Sequence, residues 1–249
     1  MHAPDPVAFS IGGLDIMWYG VLIGLGFLLA IAISYYRAPR HGIERDYVID
    51  FTIFMIPASI IGARAYYVIF SWDNYAGDWA KILDIRSGGL AIHGGLIAGI
   101  ITAYFVCRYH KMHILDLADL AFPTVALAQA IGRWGNFFNS EAHGGPTDLP
   151  WAIEVDGQMV HPTFLYESLW CLAMFVFLIW FDDHRRTFRG QVAFLYGMLY
   201  SFERGLVEEL RTDSLMIGPF KQAQVLSFFV FMGCLGAYMY FQRKKRRGL

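Results

Sequence analysis

The residue types best suited to chemistry are concentrated in one short stretch, Gly132–Glu141, which follows a long apolar run. Arg133 and Asn136 are three residues apart, so they share one face if a helix continues through them. Asn139 adds a second carboxamide, and the stretch ends in a carboxylate. A guanidinium fork beside amide donors is well suited to bind a phosphate. Charge at the edge of a membrane span is costly, so we expect these residues to be functional and the phosphate to belong to a lipid.

The composition assigns these residues to a membrane protein. Of the 249 residues, 56% are hydrophobic and only 16% are charged, whereas a soluble domain is roughly a quarter charged. A membrane-spanning helix needs about 20 apolar residues, and segments of that kind use more than half of the chain. We therefore predict an all-α integral membrane protein that forms a single polytopic domain over residues 1–249. Its seven predicted transmembrane helices lie at residues 17–36, 48–70, 89–107, 117–133, 163–181, 191–207 and 224–241.

The placement of Lys and Arg predicts the orientation, because cytoplasmic loops carry an excess of basic residues. With the N-terminus outside and the C-terminus in the cytoplasm, thirteen of the twenty basic residues fall on the inner side. The basic run at the C-terminal end is typical of the flank that follows a last span, and we predict no nucleic-acid partner. The thirteen inner residues are Arg37, Arg40, Arg45, Arg108, Lys111, Arg185, Arg186, Arg189, Arg243, Lys244, Lys245, Arg246 and Arg247.

Loops and glycines indicate how the spans are connected and packed. The longest connector, Trp134–Pro162 between the fourth and fifth spans, contains several turn-forming residues, including Asp156-Gly157. We expect this connector to form a small, compact cap at the outer interface. The pairs Gly20/Gly24 and Gly95/Gly99 have the spacing that lets membrane helices approach closely, so we expect them to serve packing.

A histidine and an arginine in the second and third spans are further candidates. His93 lies between two glycine pairs, Gly88-Gly89 and Gly94-Gly95, and glycines permit close backbone approach and unusual dihedral angles. An imidazole titrates near neutral pH and can serve as a general base. The alternative is a histidine that only anchors a helix turn, and the residues alone leave both interpretations open. Arg64 lies deep inside the second span, where its charge requires a partner.

The start of the fifth span carries a polar motif with His161, Tyr166 and Glu167. Proline near a helix start and an acidic residue in the first turns both have ordinary structural explanations. We therefore attribute most of this motif to helix capping, and its functional interpretation depends on what lies nearby.

The end of the sixth span carries charge on one helical face. Tyr200, Arg204, Glu208 and Arg211 recur at spacings of four, four and three residues. Because this stripe continues an apolar run, we expect it to face an outer polar cavity rather than solvent. The residues that add further charge nearby are Glu203, Glu209 and Asp213.

Several common chemistries are not indicated. The sequence contains no HExxH, CxxC, GxSxG or P-loop motif. The three cysteines, Cys107, Cys171 and Cys234, lie in predicted spans and are typical of small core residues. We therefore predict no metal site and no cofactor.

Taken in order along the chain, these pieces resemble the prolipoprotein diacylglyceryl transferases, a family of bacterial inner-membrane enzymes. The resemblance covers nearly the whole chain, and residues 132–141 are its most specific part. The other matching blocks are Asp5–Gly12, Trp18–Gly20, Gly62–Arg64, Gly88–Gly89, His93–Gly95, Gly145–Trp151, His161–Glu167 and Arg204–Ser214.

The resemblance implies a reaction and its setting. The family moves the diacylglyceryl group of phosphatidylglycerol onto the thiol of the lipobox cysteine in a preprolipoprotein signal peptide. A thioether forms and glycerol-1-phosphate leaves, so the nucleophile belongs to the substrate. The resemblance further implies a multi-pass protein of the bacterial cytoplasmic (inner) membrane, with its active site toward the outer leaflet. We expect a monomer whose partners are the two substrates and the lipid bilayer.

The resemblance also suggests roles for individual residues. Arg133 is expected to bind the headgroup phosphate with help from Asn136 and Asn139, and Arg204 is expected to be the second cation. His93 is the candidate base for the thiol. Glu141 and Glu208 are expected to orient the two arginines. The remaining expected headgroup and supporting residues are Tyr19, Arg64, Tyr200, Arg211, His161, Tyr166 and Glu167.

Two proteins of other functional classes would also contain intramembrane charges of this kind, and both are alternatives to the enzyme. A secondary transporter or channel would be favoured by inverted repeats or interrupted helices near the middle of the membrane, and no such repeat is visible in the sequence. A non-catalytic lipid-binding scaffold is disfavoured by the intact stretch at residues 132–141, and an activity assay separates it from the enzyme.

Overall fold

The computed structural model describes residues 5–85, 88–212 and 214–247, so Asp213 lies outside the described residues. Within them the chain is mostly helical, and each of the seven predicted segments contains one long helix. The helices are α1 (Trp18–Arg37), α2 (Arg45–Phe70), α3 (Trp79–Leu83), α4 (Ile92–Tyr109), α5 (Ile114–Phe138), α6 (Thr163–His184), α7 (Gln191–Leu210) and α8 (Gln222–Arg246).

Six helices in the described ranges, α1, α2, α4, α5, α6 and α8, are long and apolar enough to cross a membrane. The helix of the sixth predicted span, α7, is 20 residues long but does not join that group. The physical reason is its polar face, which carries Glu203, Arg204 and Glu208 within the helix. Length alone would therefore permit α7 to span a bilayer, whereas its charged residues separate it from the six apolar helices.

In the described part of the chain, three short antiparallel hairpins add strand structure that the all-α prediction omitted. Each contains strands of only two to five residues, too short to produce a clear alternation of apolar and polar residues. The middle hairpin turns through Asp156 and Gly157, both with positive φ, which is the type I′ pattern that matches strand twist. The hairpins pair β1 (Val7–Ile11) with β2 (Leu14–Met17), β3 (Ile153–Val155) with β4 (Gln158–Val160), and β5 (Met216–Ile217) with β6 (Phe220–Lys221).

Helix α5 is longer than predicted. It continues from the expected end at residue 133 to Phe138, so Arg133 lies inside the helix and not at its end. The cap connector accordingly begins after Phe138, and its centre is the β3–β4 hairpin, with an isolated bridge between Pro146 and Val160. Apolar residues Trp134, Phe137 and Phe138 explain the extra turn, because they pack on neighbouring aromatic rings instead of ending the helix.

The chain forms two compact units. The large unit comprises Met1–Ser34 and Ala118–Leu249, and the small unit comprises Tyr35–Leu117. In the large unit α5, α6 and α7 share an apolar core in which small residues of α5 face larger ones of the other two helices. Cys171 is buried there and Cys107 is buried in the small unit, as predicted, whereas Cys234 is only partly buried. The core residues of the large unit are Ala126, Ala130, Cys171, Met174, Leu178, Val192 and Tyr196.

A fully buried carboxylate fixes the start of α7 against α5. Asp119 accepts hydrogen bonds from the backbone N–H groups of Gly190 at 2.7 Å and Ala193 at 2.9 Å. The Nε of Arg186 also donates to it at 2.9 Å. The first backbone N–H groups of a helix have no partner within the helix, so this carboxylate caps α7 from a neighbouring element.

In the small unit, α2 and α4 cross at two glycines that the sequence analysis did not single out for packing. A Cβ placed on Gly62 would lie 2.5 Å from the Cβ of Ala98 and 2.7 Å from the carbonyl oxygen of Gly94, and one on Gly94 would collide with the Gly62 carbonyl. The expectation for Gly20/Gly24 is wrong, because a Cβ at either position would meet nothing within 4 Å among the described residues.

We expect Gly94→Ala to destabilise the small unit, because the two helix backbones must move apart to admit the methyl group. Overpacking of this kind typically costs about 1–3 kcal/mol. The matched control is Gly99→Ala on the same helix, where the added Cβ would make an ordinary 3.5 Å contact with Ser59. Thermal unfolding of the purified variants in detergent checks this expectation, and equal midpoints for Gly94→Ala and Gly99→Ala would contradict it.

Candidate functional site

Two arginines of the large unit meet on one buried carboxylate. The Nη2 atom of Arg133 lies 2.9 Å from Oε1 of Glu167, and Nη1 of Arg204 lies 3.4 Å from the same oxygen. On its other side Arg204 pairs with Glu208 through Nη2 at 2.6 Å. The four side chains come from α5, α6 and α7, and we call them the arginine cluster.

The three helices that carry the arginine cluster are joined by hydrogen bonds near it. Trp134, next to Arg133, donates its Nε1–H to the hydroxyl of Ser168 at 3.1 Å. That hydroxyl donates in turn to the carbonyl of Ala130 at 2.8 Å, which connects α5 to α6. Trp170 of α6 donates to the carbonyl of Leu199 in α7 at 3.2 Å. These bonds set the relative rotation of the helices, and therefore the direction in which each charged side chain points.

The acidic and basic side chains of the arginine cluster differ in how deeply they are buried. The carboxylates lie in the interior, with 1% of the Glu167 side chain and 3% of the Glu208 side chain exposed, whereas Arg133 and Arg204 are 20% and 19% exposed. The guanidinium groups therefore form the accessible side. A planar guanidinium with five N–H donors can hold a carboxylate on one edge and an anionic ligand on another.

Two tyrosines and a further acid of α7 line the arginine cluster. Tyr200 lies near enough to both guanidinium groups to interact with them electrostatically, and its ring stacks on that of Tyr196 with centroids 5.8 Å apart. The Tyr196 hydroxyl donates to the side-chain carbonyl of Gln129 at 2.9 Å. Glu203 is buried beside these groups with only 3% exposed, although the sequence analysis treated it only as additional charge.

The carboxamides of the Gly132–Glu141 stretch form a second polar group. Asn136 and Asn139 donate through Nδ2 to Oε1 of Glu141 at 2.9 Å and 3.4 Å. The expectation that Glu141 orients Arg133 is therefore replaced, because the carboxylate in contact with Arg133 is Glu167. Tyr19 of α1 packs beside this stretch, where its ring lies so close to Gly135 that an added Cβ would approach it to 2.5 Å.

The cap is hydrogen-bonded to the ends of α6 and α7. The backbone of Gly144 pairs with that of His161, and Gly145 donates to the carbonyl of Leu210 at 2.9 Å. Arg211, the residue after α7, forms an isolated bridge with Gly144. The hydroxyl of Tyr166 accepts from Trp151 at 2.9 Å and lies 3.3 Å from Nδ1 of His161. His161, Tyr166 and Arg211 thus join the cap to the helix ends that present the arginine cluster.

The two candidates of the small unit are arranged around one loop. Arg64 donates to the carbonyls of Ile82 and Lys81 at 2.9 Å and 2.7 Å, and to those of Gly88 and Gly89 at 2.7 Å and 2.9 Å. Backbone carbonyls are therefore the partners that this buried charge requires. His93 is exposed in the first turn of α4. Arg64 holds the glycine pair that leads into this turn.

The sequence analysis gave too little weight to a functional role for Glu167. Its position in the first turns of a helix was already explained by the favourable interaction of an acid with the helix N-terminus. Charge balance could have identified it. Arg133 and Arg204 each required a carboxylate partner within the membrane, and Glu167 is an acidic residue on a neighbouring span. Glu203 was missed for a different reason, since a glutamate among other charged residues of a helix gives no sign in the sequence that its carboxyl group is buried.

Comparison with known proteins identifies the family to which this chain belongs. A family model described as prolipoprotein diacylglyceryl transferase matches residues 6–240. A protein of Finegoldia magna named phosphatidylglycerol–prolipoprotein diacylglyceryl transferase is 47% identical over 97% of both chains. The like-named protein of Clostridioides difficile is 47% identical over 98% of both chains, and that of Bacillus cytotoxicus is 43% identical over 90% of this chain and 87% of its own. The chain belongs to the prolipoprotein diacylglyceryl transferase family.

Proposed function

We propose that this protein transfers the diacylglyceryl group of phosphatidylglycerol to the thiol of the lipobox cysteine in preprolipoproteins, the first step of bacterial lipoprotein maturation. The observation that carries the proposal is the arginine cluster, in which two partly exposed guanidinium groups are held by one buried carboxylate. This arrangement suits a phosphodiester headgroup, and the names of the relatives specify phosphatidylglycerol and prolipoprotein.

The reaction replaces a carbon–oxygen bond of the lipid with a carbon–sulfur bond to the peptide. The cysteine sulfur attacks the terminal glyceryl carbon, an S–C bond forms, and the bond between that carbon and the phosphate oxygen breaks. Negative charge develops on the leaving phosphate, so cations already in place there stabilise the transition state. We assign this role to Arg133 and Arg204. A base takes up the thiol proton as the sulfur becomes a thiolate, and glycerol-1-phosphate leaves as a dianion that carries the charges of the thiolate and the phosphodiester. The base then releases its proton to solvent.

The remaining residues are proposed to support binding. Asn136, Asn139 and Glu141 present a hydrogen-bonded amide group for the headgroup glycerol or phosphate. Glu167 and Glu208 orient the two arginines, and Arg64 acts by holding the loop before α4. The other supporting residues are proposed to be Tyr200 at the arginine cluster, Tyr19 beside Gly135, and Arg211, His161 and Tyr166 where the cap meets the ends of α6 and α7.

His93 is proposed as the base that accepts the thiol proton. A thiol is only slightly ionised at neutral pH, and a nearby imidazole raises the thiolate fraction by removing the proton. His93 is exposed at the first turn of α4, where an imidazole remains accessible to a substrate. This assignment rests on chemistry and on the glycine-rich setting of the residue.

The proposed setting is the cytoplasmic membrane of a bacterium, with seven spans, the N-terminus outside and the C-terminus in the cytoplasm. The excess of basic residues in the predicted inner loops supports this orientation. In it α7 is the sixth span, its charged end faces the outer leaflet, and the lipid headgroup is reached from that side. We propose that the two compact units form one transferase domain and that the enzyme acts as a monomer in the bilayer.

The test is transfer by the purified protein. The protein in detergent is incubated with phosphatidylglycerol and a synthetic lipobox peptide, and the peptide mass and released glycerol-1-phosphate are measured. We expect the peptide to gain one diacylglyceryl group, with an equal amount of glycerol-1-phosphate released, and a Cys→Ser peptide to gain none. No mass gain under conditions in which a relative is active would overturn the proposal in favour of lipid binding or transport.

A further inference from the structure

Glu203 is an acid of the large unit to which the reaction above gives no role. It lies on α7 with 3% of its surface exposed. Within the described part of the chain, neither of its carboxyl oxygens has a hydrogen-bond partner. Glu167 and Glu208 are equally buried but are paired with arginines. Glu203 is therefore a buried polar group of a kind that proteins rarely leave without a use.

The groups that face Glu203 come from three helices. Glu167 and Cys171 lie on α6, and Arg133 lies on α5. Tyr200 and Arg204 share α7 with it. All of them are close enough to interact with the Glu203 carboxyl electrostatically, and the negative Glu167 acts against the attraction of the two arginines. Glu203 thus belongs to the same local field as the arginine cluster without forming one of its ion pairs.

The charges of this region determine how well an anion can bind. The arginine cluster contains two guanidinium groups and two carboxylates, so its formal charges cancel. An ionised Glu203 would leave one net negative charge in a buried place, and a phosphodiester headgroup would bring another. A buried carboxylate without a hydrogen bond or ion pair is expensive, whereas the neutral acid is much less so. Binding of an anion is therefore compatible with a Glu203 that carries a proton.

We propose that Glu203 is the proton-carrying carboxyl group of the site, neutral while the anionic headgroup is bound to Arg133 and Arg204, and that its ionisation weakens headgroup binding. This inference rests on the proposed function for the identity of the anion. The proton comes from solvent and returns to it, so no other reactant is required. Glu203 is a positioning residue, since it acts through the charge that the two arginines present.

Binding measured apart from catalysis tests the inference. The probe is dihexanoyl phosphatidylglycerol, titrated into the detergent-solubilised protein from pH 5 to 9 and followed by tryptophan fluorescence. We expect the wild-type dissociation constant to increase with pH, approaching about tenfold per pH unit where one proton is linked to binding. Glu203→Gln, which cannot ionise, is expected to bind tightly over the whole range. Glu203→Asp is expected to restore the dependence on pH.

The matched control is Glu209→Gln, which removes an exposed carboxylate from the same helix, and its pH profile should follow that of the wild type. Glu203→Met provides a second variant that cannot ionise, should the glutamine variant fold poorly. The role of Glu203 would be overturned if the wild-type dissociation constant did not change with pH. It would also be overturned if Glu203→Gln and Glu203→Met showed the same dependence on pH as the wild type. Peptide modification is measured in parallel at each pH. Binding that follows the expected profiles without any transfer would support this role and reject the proposed function.

Discussion

Arg133→Lys is expected to reduce diacylglyceryl transfer by at least about a hundredfold, since loss of one preorganised donor at a developing anion typically costs a factor of about 10²–10³. Lysine keeps the positive charge but replaces a planar fork with a single ammonium group. Arg133 holds Glu167 through Nη2, and in the proposed function its other N–H groups bind the phosphate. One ammonium group cannot satisfy both directions with the same geometry.

The measurement is kcat/KM for peptide modification in detergent, with the amount of folded protein fixed by size-exclusion chromatography. Arg185→Lys is the matched control, because Arg185 is exposed at the C-terminal end of α6 and belongs to no part of the arginine cluster. Arg204→Lys should be impaired as well, since its guanidinium also spans two partners. An Arg133→Lys enzyme within about threefold of the wild type would show that charge alone suffices and that the fork geometry has no role.

Glu167→Ala should produce the largest loss of stability among changes in the arginine cluster. The substitution leaves two guanidinium groups without the carboxylate that they share, and removing one partner of a buried ion pair typically costs about 3–5 kcal/mol. It also empties a position that is 1% exposed. We expect a clear decrease in the thermal unfolding midpoint in detergent, and Glu209→Ala, which truncates an exposed acid, should leave the midpoint nearly unchanged.

Glu167→Gln separates the charge of this residue from its shape. The amide fills the same space and its oxygen still accepts a hydrogen bond from an arginine, so most of the stability should be retained. Because the charge of the two guanidinium groups is then no longer balanced by Glu167, their positions and their affinity for the headgroup should change. KM for phosphatidylglycerol should therefore change more than kcat.

The outcome that would contradict the stability prediction concerns the alanine variant. If Glu167→Ala unfolds at the same temperature as the wild type, the shared carboxylate does not hold the site together.

The sequence predicted the parts of the site that depend on one helix at a time. The shared face of Arg133 and Asn136 followed from their spacing and required only that α5 continue, which it does as far as Phe138. The contact between Arg204 and Glu208 follows from the same periodicity. Both patterns are local, so they can be deduced from 3.6 residues per turn without knowledge of how the helices pack.

The parts that sequence reasoning missed depend on contacts between distant segments. Glu167 meets Arg133 because α5 packs against α6, and the hydrogen bonds from Trp134 to Ser168 and from Ser168 to Ala130 connect the two helices there. Spacing along one helix contains no information on that rotation. The crossing of α2 and α4 at Gly62 and Gly94 was likewise hidden, because many glycine pairs have a suitable spacing and only the packed structure selects one. Hairpins of two to five residues per strand are too short for their periodicity to be recognised.

The cap that Asp119 provides for α7 has a mechanical consequence. Arg204 lies fourteen residues after Gly190, or about 21 Å along a helix that rises 1.5 Å per residue. A carboxylate that holds two backbone N–H groups at one end opposes any turning of the helix about its own axis, because turning would break both bonds. The orientation of the guanidinium and carboxyl groups at the other end is thereby decided before a substrate arrives. A site that is already oriented requires less reorganisation when its ligand binds.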